Sequence, residues 1–246
     1  MTALPPRGLV IIPAFDEAAT IAATLAQVRT AVPDLDVLVV DDGSADDTAS
    51  VAEAAGAMVL HLPYNLGIGG ALRTGFRFAH RRGYEWAVQV DADGQHDPAE
   101  IPVLAAALAD GADLVVGSRF AAGAGSYEVG RLRRRAMSLL RVTLRAMLGR
   151  SFTDTSSGFR VFSRRCLGYF ADSYPAEYME SVEALLLACY AGLHVVEMPV
   201  VMHQRAGGRP SNRRWRLLYH YVRIYVVLVS SASRHRRPQF QAAQHL

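Results

Sequence analysis

Two carboxylates and an amide leave the end of one hydrophobic run at alternate positions: Asp91, Asp93 and Gln95, in Asp-Ala-Asp-Gly-Gln directly after Trp86 to Val90. Extended residues two apart point the same way, so the run predicts three oxygen donors on one face. Mg²⁺ and Mn²⁺ take a few carboxylates together with substrate phosphates. A cation held there would act as Lewis acid and template for departure of a diphosphate. A bare Asp-x-Asp also reads as a solvated turn capping the next helix. Context favours the ligand reading, because ligands of open α/β sheets sit beyond the carboxyl ends of the strands. Three polar strand ends recur here in order, at Pro13 to Glu17, Asp41 to Ser44 and Asp91 to Gln95.

The elements that must position them alternate short β-branched runs with helical patterns, as parallel strands joined by crossover helices do. Strands are expected at Leu9 to Ile12, Val37 to Val40, Met58 to Leu60, Trp86 to Val90 and Leu114 to Val116. Helices are expected from Asp16 or Glu17 to about Val32, from Asp46 to Gly56, and from a glycine-bearing loop at Asn65 to Gly70 up to Gly83. Asp97 as cap, Pro98 at the first helical position and Glu100 predict a further helix start. Beyond it, the pattern predicts a basic helix over Arg131 to Leu148, an extended Phe159 to Phe162, a helix over Glu177 to Ala191 and a strand over His194 to Met202. A polar, glycine-rich loop from Gln204 to Asn212 then precedes an aromatic and basic terminal helix.

Composition removes several function classes. The 26 basic residues are all arginine, so Schiff-base catalysis and a lysine-bearing phosphate loop are excluded. A formal charge of +3 does not call for nucleic acid. Cys166 and Cys189 lack metal-ligand spacing and form no disulfide framework. No signal-peptide pattern opens the chain, and no stretch reaches the ~20 apolar residues of a spanning helix. The expected location is cytoplasmic, with attachment to the inner face of the cell membrane as an option.

The combination of motifs resembles family 2 glycosyltransferases of the dolichol- or polyprenol-phosphate mannosyltransferase type. It is carried by Ile-Pro-Ala-Phe-Asp-Glu at 12–17, Val-Asp-Asp-Gly-Ser at 40–44 and Asn-Leu-Gly-Ile-Gly-Gly-Ala at 65–71. Asp-Ala-Asp-Gly-Gln-His at 91–96, Gly-Ser-Arg-Phe at 117–120 and Ser-Gly-Phe-Arg at 157–160 complete it. The resemblance implies an α/β GT-A type nucleotide-diphospho-sugar transferase fold, with a mostly parallel central sheet flanked by helices. It implies a catalytic domain over 1–212, followed by an amphipathic basic helix and tail over 213–246.

Carried over residue by residue, the resemblance puts Pro13, Phe15, Glu17 and Asp42 at the base and ribose, with Asp41 nearby. Asp91, Asp93 and Gln95 fall at the metal and diphosphate, and Gly67, Gly69 and Gly70 where backbone approaches a GDP- or UDP-linked donor. Arg119, Arg134 and Ser138 match positions that grip an acceptor phosphate, which a guanidinium fork suits. Arg205 and Ser211 match a mobile acceptor loop. Asp154 is a candidate general base or orienting group, or a turn cap. Phe15, Asp16 and Ile68 depart from the Tyr, Asn and Lys frequent at those places. The implied reaction is transfer from a GDP- or UDP-sugar to a polyprenyl phosphate, metal-dependent and inverting, with Asp93, Asp154 and Arg119 in catalytic roles. Transfer to a saccharide or small-molecule hydroxyl is one alternative, and a nucleotide-sugar-binding module without turnover is another.

Overall fold

A computed structural model describes residues 4–121, 131–175 and 180–202. The elements run β1 (Gly8–Ala14), α1 (Ile21–Ala31), β2 (Asp36–Asp41), α2 (Thr48–Ala54), β3 (Met58–His61), α3 (Ile68–Arg82) and β4 (Trp86–Gln89). There follow a 3₁₀ turn (Pro98–Glu100) leading into α4 (Ile101–Ala106), then β5 (Leu114–Ser118), α5 (Arg131–Leu148), β6 (Arg160–Ser163), α6 (Arg164–Ser173), α7 (Glu180–Tyr190) and β7 (Val195–Pro199).

The strands form one seven-stranded sheet in the order β3-β2-β1-β4-β6-β5-β7. It is parallel except at β6, which runs antiparallel to both β4 and β5. This is the mostly parallel α/β sheet expected from the sequence. Its central strands are apolar on both faces, as strands covered on both sides must be. One face packs Leu9, Ile11, Leu38, Val40 and Phe162 against Leu72 and Phe76 of α3, Phe170 of α6 and Leu185 of α7. The other packs Val10, Ile12, Val39, Val88 and Val161 against Ile21, Leu25 and Val28 of α1 and Leu104 of α4.

Two topological facts create the site. The chain winds from β1 out through β2 to β3 and then crosses back to lay β4 on the other side of β1. That reversal opens a crevice beyond the carboxyl ends of β1 and β4. Second, because β6 is antiparallel, its entering segment arrives at the same edge where its parallel neighbours end. The residues just before Arg160 therefore lie beside Asp91 instead of at the far side of the sheet.

Several expectations are corrected. The first helix begins at Ile21, not at Asp16 or Glu17, and Phe15 and Glu17 of the preceding segment line the crevice instead. The stretch Asn65 to Gly70 is half helix, since α3 starts at Ile68. Helix α6 had no counterpart in the sequence reading. Asp97 does cap its turn, accepting the Ala99 N–H at 3.0 Å. The expected loop at Gln204 to Asn212, the terminal helix and the domain boundary at 212 all lie outside the described residues. No helix among the described residues is long and apolar enough to cross a membrane.

Candidate active site

The loops after β1 and β2 are stitched to one another. Asp16 adopts a left-handed backbone conformation, φ +53°, which Asp tolerates better than most residues. Its N–H donates to Ser44 Oγ (3.0 Å) and its Oδ1 accepts the Ala45 N–H (2.8 Å). The Glu17 N–H donates to Thr48 Oγ1 (2.8 Å), and Asp46 accepts the Ala18 N–H (3.1 Å). A third segment is tied in by Asp42, whose Oδ1 accepts the Leu66 N–H at 2.7 Å. Burial pushes the Asp42 carboxyl up, the Leu66 and Gly67 N–H groups oppose this, and neighbouring Asp41 adds to it; the net shift is upward.

These ties frame a cleft of about 300 Å³ lined by Pro13, Phe15, Glu17, Asp42, Asn65, Gly67, Ile68, Asp91 and Asp93, among others. All three polar strand ends thus meet in one space, with the amino end of α3 as its wall. Phe15 and Ile68 reach it as exposed apolar side chains, 45% and 38% accessible.

The Asp-Ala-Asp-Gly-Gln segment is not extended. β4 ends at Gln89, and Gly94, with φ +73°, reverses the chain. Asp91 and Asp93 both face the cleft, whereas Gln95 does not line it, and its N–H donates to Asp93 Oδ1 at 3.0 Å. Alternation along a strand therefore does not apply to Gln95, and of the three expected donors Asp91 and Asp93 are the two brought together at the cleft. Thr24 of α1 holds the turn from below through its hydroxyl, which donates to the Ala92 carbonyl (3.0 Å).

Asp91 is braced on three sides. Its N–H donates to His96 Nδ1 (3.0 Å), so the neutral ring carries its proton on Nε2, 3.4 Å from Asp91 Oδ2. Gln89 Nε2 donates to Asp91 Oδ1 at 3.1 Å. A Cβ at Gly158 would stand 3.1 Å from both carboxylate oxygens, so the bare glycine leaves them room. His96 is itself buried and stacks on Phe159, with centroids 4.8 Å apart and planes at 12°. Ser-Gly-Phe-Arg thus works as a back wall to Asp91. The sequence motifs include His96 and Gly158 without a role for either, and Gln89 lies outside them. The overlooked signal was a lone amide in an apolar strand, two residues before Asp91.

Other candidates are placed differently from expectation. Asp41 faces away from the cleft, accepting the Ser44 N–H (3.2 Å) and lying 3.7 Å from His61 Nδ1. Of the three glycines, Gly67 lines the cleft. Gly69 and Gly70 are buried in α3, and a Cβ on Gly70 would stand 2.5 Å from Leu66 Cβ. Asp154 is fully buried and grips Arg119, with Nε to Oδ2 at 2.7 Å and Nη2 to Oδ1 at 2.9 Å. Burial alone would raise its pKa; the Arg119 hydrogen bonds and charge overcome this and hold it below the ordinary carboxylate value. Enclosed and engaged on both oxygens, the carboxylate is held as the structural partner of Arg119. Glu197 of β7 fixes this loop by accepting the N–H groups of Thr153 and Asp154. Arg134 and Ser138 lie four residues apart in α5. Ser138 Oγ accepts from Arg141 (3.3 Å), while the side chain of Arg134, like Arg205 and Ser211, lies outside the described residues.

Among the described residues, no three His, Cys, Asp or Glu side chains cluster to hold a metal unaided. Two carboxylates at a cleft fit a hard cation that shares its coordination with substrate oxygens.

The chain is 35% identical over 216 residues to undecaprenyl-phosphate mannosyltransferase of Micrococcus luteus, covering 82% of this chain and 86% of that protein. It is 34% identical to polyprenol monophosphomannose synthase of Mycolicibacterium smegmatis, covering 82% and 79%. Among solved structures it is similar to glucosyl-3-phosphoglycerate synthase of Mycobacterium tuberculosis in complex with Mn²⁺, UDP and phosphoglyceric acid. That match has a TM-score of 0.65 at 24% identity and covers 92% of this chain and 78% of that one. The same enzyme is known with Mg²⁺ and UDP. The expected polyprenyl-phosphate partner is corrected on this finding: the structure with Mn²⁺ and UDP holds phosphoglyceric acid, a small phosphorylated metabolite and not a lipid. The model of glycosyl transferase family 2 matches residues 9–169, and the chain, with its acidic crevice at the switch point of a GT-A type sheet, belongs to that family of sugar transferases.

Proposed function

We propose that the chain transfers a hexose from a UDP- or GDP-linked donor to a hydroxyl of a small phosphorylated acceptor. The observation that carries this reading is the meeting of three polar strand ends in one cleft, with Asp91 and Asp93 facing it side by side. The base and ribose would lie among Pro13, Phe15, Glu17 and Asp42, and the diphosphate toward Gly67. Mg²⁺ or Mn²⁺ would be held by Asp91, Asp93 and diphosphate oxygens, where it supplies charge neutralisation for the leaving group. Both ions occur in the solved relative, which supports this choice.

Arg119 follows β5 on the same sheet edge and is aimed by Asp154. With Arg134 and Ser138 it is the proposed grip on the acceptor's phosphate, a role that suits a pre-aligned guanidinium. Such a grip would hold the attacking hydroxyl near the anomeric carbon, converting recognition into orientation.

The test is a matrix of UDP- and GDP-hexoses with Mn²⁺ or Mg²⁺ against 3-phosphoglycerate, glycerol 3-phosphate, unphosphorylated glycerol and a short polyprenyl phosphate. Metal-dependent transfer to the small phosphorylated acceptors, absent with glycerol, is the expected result. Transfer to the polyprenyl phosphate alone would overturn the acceptor assignment.

A further inference from the structure

Gln89 is out of place in its strand. Its partners across the sheet are Ile11 on β1 and Arg160 on β6, it is 1% accessible, and Trp86, Ala87 and Val88 beside it are apolar and buried. One end of its amide is employed, since Nε2 donates to Asp91 Oδ1 at 3.1 Å. The other is not, because Oε1 is buried without a hydrogen-bond partner. Arg160, directly opposite, is fully buried. It donates from Nε to the Ser157 carbonyl (2.8 Å) and from Nη2 to the Thr155 carbonyl (3.4 Å), while its Nη1 has no partner. An unsatisfied buried acceptor destabilises a fold, and an apolar side chain of similar shape would remove that penalty. The packing of β4 therefore does not explain a glutamine here; the contact with Asp91 does.

We infer that Gln89 is a positioning residue for metal binding: its amide holds the Asp91 carboxylate in the orientation that a divalent cation meets, at the expense of the fold. The inference rests on the proposed metal role of Asp91. Asp91 has few other restraints on Oδ1. Gly158 packs against that side with no side chain, so it offers Oδ1 no hydrogen bond from a side chain, and His96 reaches Oδ2. Without the amide, the carboxylate regains rotamer freedom that cation binding must then remove. Hydrogen bonds to the ligating carboxylate act in this way at metal sites generally, and their loss typically lowers metal affinity by about 10–100-fold.

The experiment compares wild type with Gln89→Met, which keeps length and volume but removes both polar atoms. Mn²⁺ affinity in the presence of saturating UDP or GDP is measured by electron paramagnetic resonance, and the melting temperature is measured without metal or nucleotide. The expected result is Mn²⁺ binding weakened about 10-fold or more with a melting temperature unchanged or raised. A merely structural glutamine predicts the opposite pattern, a lower melting temperature with unaltered Mn²⁺ affinity, and that outcome overturns the inference. Unaltered affinity at any melting temperature overturns it as well. A wild type that binds no Mn²⁺ with either nucleotide would instead overturn the metal role of Asp91, so the two failures are distinct.

Discussion

Replacing Asp154 by Asn separates the two roles open to that residue, general base and structural partner of Arg119. The substitution conserves shape but removes the charge facing a guanidinium whose side chain is only 10% accessible. Asn retains one acceptor oxygen in place of the two now bonded at 2.7 and 2.9 Å. Breaking a buried pair from one side costs about 3–5 kcal/mol, because the remaining charge stays uncompensated. At roughly 2–4 °C per kcal/mol for a chain of this size, the melting temperature should fall by about 6–20 °C. The sign with pH follows from the depressed pKa of Asp154. Its stabilisation is fully present above the unfolded value of about 3.8 and is lost as pH falls through the lower folded value. Calorimetry across pH 2–7 should therefore show the gap between wild type and variant widest near neutrality and closing below pH ~3.8. Adding Arg119→Met to Asp154→Asn should cost much less than the sum of the single changes. A variant that melts like wild type at neutral pH but has lost turnover would refute this account and restore the general-base role.

Asp93→Ala should abolish transfer and remove the Mn²⁺-dependent rise in melting temperature that UDP or GDP gives the wild type, read by scanning fluorimetry. Gly158→Ala introduces a methyl 3.1 Å from both Asp91 oxygens; it should weaken Mn²⁺ binding by about 10-fold or more while circular dichroism stays unchanged. Asp42 has a raised pKa, so its contribution favours the fold below the unfolded value and is lost as pH rises through the folded one. Asp42→Asn should accordingly raise the melting temperature at pH 7 relative to wild type and weaken nucleotide binding measured by calorimetric titration. Equal melting temperatures at pH 7 would remove the assigned burial penalty.

Much of this arrangement is legible in residue types because it depends on local pattern. Apolar runs ending in Pro-Ala-Phe-Asp-Glu, Asp-Asp-Gly-Ser and Asp-Ala-Asp-Gly-Gln mark strands that carry polar groups at one end, and all three ends do meet in the cleft. Helix α5 lies where its arginine-rich amphipathic pattern put it. What escaped reading depends on long-range pairing. Nothing in Phe-Arg-Val-Phe-Ser reveals that β6 runs against its neighbours, and that reversal alone puts Gly158 and Phe159 behind Asp91. Asp154, among Thr and Ser, carries no local sign of burial, and the Glu197 contact across 43 residues ties its loop to β7. Gln95 stands apart from Asp91 and Asp93 at the cleft for a local reason: β4 ends at Gln89 and the chain turns at Gly94, so a strand's alternation does not reach it.

The carboxyl edge of the sheet concentrates the polar groups that weaken the fold, and it does so at the proposed site. Gln89 Oε1 and Arg160 Nη1 are buried and unpaired, at about 1–3 kcal/mol each, and Asp42 is buried with a raised pKa. Against a total stability of roughly 5–15 kcal/mol for a typical domain, such losses are large. They are tolerable because the β1 and β4 strands beneath are packed on both faces by unbroken apolar layers. They also lie close to the cleft: Gln89 holds Asp91 and pairs across the sheet with Arg160, and Asp42 lines the cleft itself. Cation binding should then stabilise this protein more than the area of the cleft alone would suggest, because a divalent cation would neutralise the Asp91 and Asp93 carboxylates that the cleft holds close together, as well as the diphosphate that arrives with it.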